Sequence, residues 1–141
     1  MKKCSIILFG ICLIFASQKA SAQNENSKWY FGNKAGLDFL TSPPTILTNG
    51  QMSTIEGCAT ISDGAGNLLF YTDGISVWDQ THNVMANGSG LTGNSSSSQS
   101  AIIAKQPGNS NIYYIFSNSG PFGAGAAYSV VDMNLAAGMG S

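Results

Sequence analysis

Arginine is missing from all 141 residues of the chain. The basic groups are six lysines, and three of them (Lys2, Lys3 and Lys19) fall within the first 22 residues. From Gln23 onward only Lys28, Lys34 and Lys105 face Glu25, Asp38, Glu56, Asp63, Asp73, Asp79 and Asp132, a net charge of −4. Phosphate backbones are held by clustered Lys and Arg, so this balance argues against nucleic acid as a partner. It argues against an anionic membrane surface for the same reason.

Cysteine and histidine are nearly as scarce. Cys4 and Cys12 lie in the first 22 residues, which leaves Cys58 alone and unable to form an intrachain disulfide. It sits in the strand-like "GCATIS", where a free cysteine behaves as a small buried hydrophobe. A reactive thiol would want a cationic neighbour, and none is close in sequence. His82, the single histidine, falls in "DQTHN" with no Ser–His–Asp order and no partner at metal-ligand spacing. It reads as an exposed turn residue. No catalytic residue, metal ligand set or cofactor is assigned.

Only one long apolar run exists, "SIILFGICLIFA" at 5–16, and it is short of the ~20 residues that span a bilayer. Lys2 and Lys3 precede it, and the small residues Ala20, Ser21 and Ala22 follow. Residues 1–22 therefore read as a signal peptide, followed by a short linker at 23–27. A lipoprotein signal around Cys12 is the rival reading, but Ile11 stands where a small residue is expected. The expected destination is secreted or cell-surface, with no membrane insertion of the mature chain.

A sustained 3.6-residue apolar period is also lacking. Runs rich in Val, Ile, Tyr, Phe and Thr are instead bounded by Gly, Asn, Asp, Ser and Pro. They fall at 28–32, 36–40, 45–48, 58–62, 68–72, 75–79, 83–86, 101–105, 112–116 and 127–132. Ten such runs at close spacing predict an all-β, antiparallel, meandering fold.

The runs repeat. An offset of 38 lays Gly36 on Gly74, Leu37 on Ile75, Phe39 on Val77 and "TILTNG" (45–50) on "NVMANG" (83–88). An offset of 42 lays "ATIS" (59–62) on "AIIA" (101–104), and 44 lays "NLLFYT" on "NIYYIF". "ISVWD" (75–79) recurs as "YSVVD" (128–132). The unit of roughly 40 residues matches a four-stranded propeller blade with strands A to D. Residues 28–50 supply B to D, 57–88 a complete blade, and 100–141 an incomplete one. The expectation for 28–141 is a partial β-propeller of fewer than three blades, in a chain cut short. Its end units would expose apolar residues and unpaired strand edges.

Within this scheme "DGAGN" (63–67) is the A–B hairpin turn and not a calcium cradle. One Asp falls short of the six to eight oxygens that calcium requires. "VWD" (77–79) echoes the dipeptide ending strand C of WD-repeat blades, although the companion Gly-His pair is absent. The feature shared with "VVD" is the Asp, which should accept backbone hydrogen bonds at the strand end. Trp78, with Leu40 as its counterpart, reads as packing mass. "SSSSQS" (95–100) is a polar linker by composition. Asn87 and Asn94 begin glycosylation sequons that matter only in a glycosylating host.

In a meander the B–C and D–A loops share one end of the blade. The enlarged D–A loop at 89–99 and the B–C loop at 117–126 both fall there. That places the candidate ligand-binding residues Glu56, Asp73, Ser98, Gln99, Asn118 and Phe122 on or beside one face.

"WYFGNKAGLDF" (29–39), the segment 48–88, and "GNSSSSQSAIIAKQPGNSNIYYIF" (93–116) together resemble the N-terminal region of large secreted surface proteins of Bacteroidetes. Those proteins often carry PKD-like or other immunoglobulin-like modules and a C-terminal type IX secretion or gliding-motility-associated sorting domain. The resemblance implies export, a propeller-like opening domain and a surface or extracellular destination. No sorting domain falls within these 141 residues, so the expectation is either a fragment or a chain to which the family's anchoring does not apply. Two functions remain open. One is a non-enzymatic module that binds an extracellular glycan or protein or scaffolds adhesion. The other is a fragment of a polysaccharide-acting hydrolase or lyase, with carboxylates such as Glu56 and Asp73 near the channel.

Overall fold

The structure is a computed structural model that describes residues 24–120, 123 and 125–141. The expected leader and Phe122 lie outside the described residues. Each of the ten apolar runs forms a strand. These are β1 (Lys28–Phe31), β2 (Ala35–Asp38), β3 (Thr45–Leu47), β4 (Ala59–Ser62), β5 (Leu68–Thr72), β6 (Ser76–Asp79), β7 (Val84–Ser89), β8 (Ala101–Lys105), β9 (Ile112–Asn118) and β10 (Ala126–Asp132). No α-helix occurs among the described residues.

The strands pair antiparallel into three meander sheets that do not close on themselves. Sheet 1 runs β1-β2-β3, sheet 2 runs β4-β5-β6-β7, and sheet 3 runs β8-β9-β10. β4 contacts both β1 and β8, so the sheets follow one another in chain order with sheet 2 between the others.

Side chains alternate across a strand, and in sheet 2 both faces are buried. Phe70, Val77 and Met85 point one way and pack with Ala101, Tyr113, Ile115 and Val131 of sheet 3. Tyr71 and Leu68 meet Tyr30 and Met52 on the other side, where Trp78 and Cys58 join them. Phe70, Tyr71 and Ile115 have no exposed surface. Burying one such side chain is worth roughly 2–3 kcal/mol. The segment after β10 closes the outer side of the Phe70 core, where Met133 packs and Asn87 Nδ2 reaches Ser141 Oγ at 2.9 Å.

Sheet 1 has three strands where sheet 2 has four. The open edge of β1 is occupied at Tyr30 by a side chain of sheet 2. Tyr30 N–H donates to Thr60 Oγ1 at 3.0 Å, and the same hydroxyl donates to Tyr30 O at 3.3 Å.

Register corrects two of the sequence alignments. Ala59 and Ile61 pack toward sheet 3, whereas Ala101 and Ile103 face back toward sheet 2, so the offset of 42 matches residues on opposite faces. The offset of 38 fails in β2, because Gly36 shares a face with Tyr30 and Leu47 and leaves Leu37 and Phe39 turned away from sheet 2. A one-residue slip reverses every side chain in a strand, and composition alone cannot detect it. The phase is carried by Asp38, Asp79 and Asp132, each at the end of its C strand. With Asp38 on Asp79, the counterpart of Trp78 is Leu37 and not Leu40.

Those aspartates do one job. Each accepts the backbone N–H two residues ahead, Leu40 for Asp38 (3.0 Å), Thr81 for Asp79 (2.7 Å) and Asn134 for Asp132 (2.9 Å). Asp63 does the same for Ala65 at 2.9 Å and also accepts Asn67 N–H and the Asn67 amide. "DGAGN" is therefore a carboxylate-capped turn, and the Asn67 amide foremost holds the Asp63 carboxyl below its ordinary range.

Phe70 and Phe116 test the two-sided sheet assignment. Phe70→Ala should cost about 3–5 kcal/mol in equilibrium urea unfolding. Phe116→Ala, at 47 % exposure in the single chain, should cost well under half of that when both are measured at concentrations where the chain is monomeric. Equal losses would contradict the assignment of inner and outer faces.

Candidate functional site

The loop between β7 and β8 is bound to the end of sheet 2 by its backbone. Gly93 N–H donates to Gly74 O at 2.8 Å, Leu91 N–H to Ile75 O at 3.0 Å, and Gly57 N–H to Ser97 O at 3.1 Å. Three glycines make this approach possible. A Cβ on Gly93 would stand 2.2 Å from Gly74 O, one on Gly57 2.3 Å from Ser100 N, and one on Gly74 2.4 Å from Ser100 Oγ. Gly74 also has φ of +86°, a left-handed conformation that favours glycine. "SSSSQS" is thus more than a linker: it is a strapped loop that ends in the fully buried Ser100.

Most of the expected site residues gather here. Ser98 Oγ donates to Glu56 Oε2 at 3.2 Å, and both residues are exposed. Gln99 is exposed beside them. Asn118 N–H donates to Ser100 O at 3.0 Å, which brings the start of the β9–β10 loop to the same end. Asp73 is half-buried, and its Oδ1 accepts Ile75 N–H at 2.8 Å and Ser76 N–H at 2.7 Å. Its carboxylate shapes the β5–β6 turn. Asn118 Oδ1 likewise accepts Gly120 N–H at 3.0 Å. Glu56, Ser98 and Gln99 therefore form the outward part of the face, with Asp73 and Asn118 as its frame. Phe122 lies outside the described residues. Among the described residues no cluster of three or more His, Cys, Asp or Glu could hold a metal ion.

A second polar cluster, which the sequence did not reveal, lies around the β6–β7 turn. His82 is half-buried there, with φ of +66°, and is not the exposed turn residue expected. Its Nε2 lies 2.7 Å from Asn49 Nδ2 and its Nδ1 lies 3.2 Å from Tyr71 Oη. Tyr30 Oη donates to Asn49 Oδ1 at 3.0 Å, and Gln51 N–H donates to Tyr71 Oη at 3.0 Å. The Tyr30 and Tyr71 rings stack with centroids 4.7 Å apart, and Trp78 stacks on Tyr71 at 5.5 Å. The cluster joins the sheet 1 side to sheet 2 through Gln51–Tyr71 and Asn49–His82, separated by 20 and 33 residues. Such distances are invisible to local patterns. Burial pushes the His82 pKa below its ordinary value, partly opposed by Asp79. Burial raises both tyrosines.

Between β1 and β4 lies an open, apolar groove of about 480 Å³ lined by Trp29, Tyr30, Phe31, Leu37, Cys58, Ala59 and Thr60. Burial first, and Asp73 second, raise the Cys58 thiol pKa. A raised thiol is a poor nucleophile, in keeping with a packing role.

No protein-family model matches the chain, and comparisons with curated proteins and with solved structures likewise find no match.

Two outcomes follow. Because burial lowers the His82 pKa in the fold, the unfolded chain binds more protons than the folded one just below the ordinary histidine pKa of about 6.5. Stability should be fully present above that pH and fall as pH drops through the depressed folded value. Denaturation midpoints from pH 5 to pH 8 should show the slope. His82→Asn, which tolerates the left-handed backbone, should flatten it. Gly74→Ala should lower stability by at least about 1 kcal/mol through its left-handed backbone alone. It should also raise hydrogen exchange at Gly93 and Gly57.

Proposed function

We propose that this chain is an exported, non-enzymatic module that binds an extracellular glycan or protein, or scaffolds adhesion, at the surface of a cell. The supporting observation is the strapped loop. A polar segment held by backbone hydrogen bonds presents Glu56, Ser98 and Gln99 outward without further ordering on binding. Pre-organisation of this kind lowers the entropy cost of recognition. Export rests on the leader-like residues 1–22. Kinship with secreted Bacteroidetes surface proteins rests on the phrases quoted above.

The hydrolase or lyase alternative draws less support. A pair of acids that act on a glycosidic bond must be available to substrate and water. Asp73 Oδ1 is committed to two backbone amides, and Glu56 takes the Ser98 hydroxyl.

The test is a glycan and matrix-protein binding screen with the full chain, followed by the double variant Glu56→Ala, Gln99→Ala. Binding should weaken at least tenfold in the variant while its melting temperature is unchanged. A blank screen, or a variant that binds like the parent, would overturn the proposal.

A further inference from the structure

The interface between sheets 2 and 3 is made from one face of each. Sheet 2 contributes Phe70 and Val77, which are 0 % and 2 % exposed. The alignments that keep their phase place Tyr114 at the position of Phe70 and Val130 at that of Val77. Both therefore point from sheet 3 away from sheet 2, on the face that also carries Ile102, Phe116 and Tyr128. Phe116, Tyr128 and Val130 are 47 %, 65 % and 49 % exposed. The rings of Tyr114, Phe116 and Tyr128 cluster with centroids 6.1 to 6.3 Å apart.

The opposite end of the stack shows the matching half. In sheet 2, Tyr71 and Trp78 form the face that receives sheet 1. Their cross-strand counterparts in sheet 1 are Trp29 and Leu37, which pair with each other as Tyr71 pairs with Trp78. That face is turned away from sheet 2 and includes Ile46, at 74 % exposure. Among the strand positions of the two outer faces the one charged residue is Asp132, at the very end of β10, where it caps the following turn. A solvated antiparallel face ordinarily alternates to polar residues. Contiguous apolar patches of this kind mark contact sites.

The chain thus makes one kind of contact twice internally, and it carries the two unused halves of that contact at its two ends. We propose that two copies of this chain associate head to tail, with the outer face of sheet 3 in one seated on the outer face of sheet 1 in the other. The contact is heterologous, and made reciprocally it closes three sheets from each copy into a ring of six. Closed arrays of such sheets typically hold about four to eight. The occupant is specified by continuity with the sheet 2–sheet 3 interface. A flat apolar partner of another kind would leave one of the two faces unused.

The experiment is light scattering coupled to size-exclusion chromatography on the purified full chain, with the variants Tyr128→Lys and Ile46→Lys. Both positions are well exposed in the protomer, so circular dichroism and melting should match the parent. The parent is expected at twice the protomer mass, and each variant alone at the protomer mass. A mixture of the two variants should recover dimer, since one keeps an intact sheet 1 face and the other an intact sheet 3 face. A monomeric parent, growth beyond two copies, or a dimer that survives either single substitution would overturn the proposal. Glycan binding by Glu56 and Gln99 is read separately and does not bear on it.

Discussion

The structure depends on a short-range electrostatic contact, a carboxylate oxygen accepting the amide N–H two residues ahead. All five aspartates after Gln23 make it, at distances between 2.7 and 3.0 Å. Strands of three to seven residues require a turn every few positions, and each turn leaves backbone donors without a ladder partner. A charged acceptor offsets that deficit more strongly than a neutral one, by about 1.5–3 kcal/mol before solvent screening reduces it at exposed turns. Asparagine makes the equivalent contact at Asn94, Asn109 and Asn118. Turn placement then fixes which residues face which neighbour, and so the stacking of the sheets.

The same contact explains how far the sequence could be read. The strands were legible because apolar runs and turn residues alternate on a scale that strand geometry requires. The role of the Asp in "VWD" and "VVD" was legible for the same reason, since strand ends create donors. Phase was not legible between copies. "ATIS" and "AIIA" look alike in composition, yet Ile61 and Ile103 face each other across the interface. Asp38 would have supplied the correct phase in sheet 1 had "GLDFL" been aligned on its carboxylate and not on Gly36. His82 failed for another reason. Its partners Asn49 and Tyr71 are remote, and no local pattern announces a histidine drawn between two sheets.

Commitment of the aspartates to turns also shapes the candidate site. Of the carboxylates after Gln23, only Glu25 and Glu56 are free of the turn role, and Glu25 pairs with Lys105 at 3.4 Å. The loop face is consequently built from hydroxyls, amides and one glutamate, held in place by three glycines that let backbones touch. Little charge is therefore available there to activate water or stabilise a cation.

Two-sided apolar strands are a cost unless both sides are covered. "LLFYT" of β5 buries Phe70 on one side and Tyr71 on the other, and it earns that composition by standing between two sheets. "IYYIF" of β9 has the same composition, with Ile115 buried but Phe116 open. Were sheet 3 a terminal layer in solution, selection for solubility would favour polar residues at the Tyr114, Phe116 and Tyr128 positions, as edge and surface strands ordinarily show. Their aromatic character is the mark of a layer whose second face is also meant to be dry. Sheet 1 carries the same mark at Trp29, Leu37 and Ile46, so the two ends of the stack are alike in what they lack.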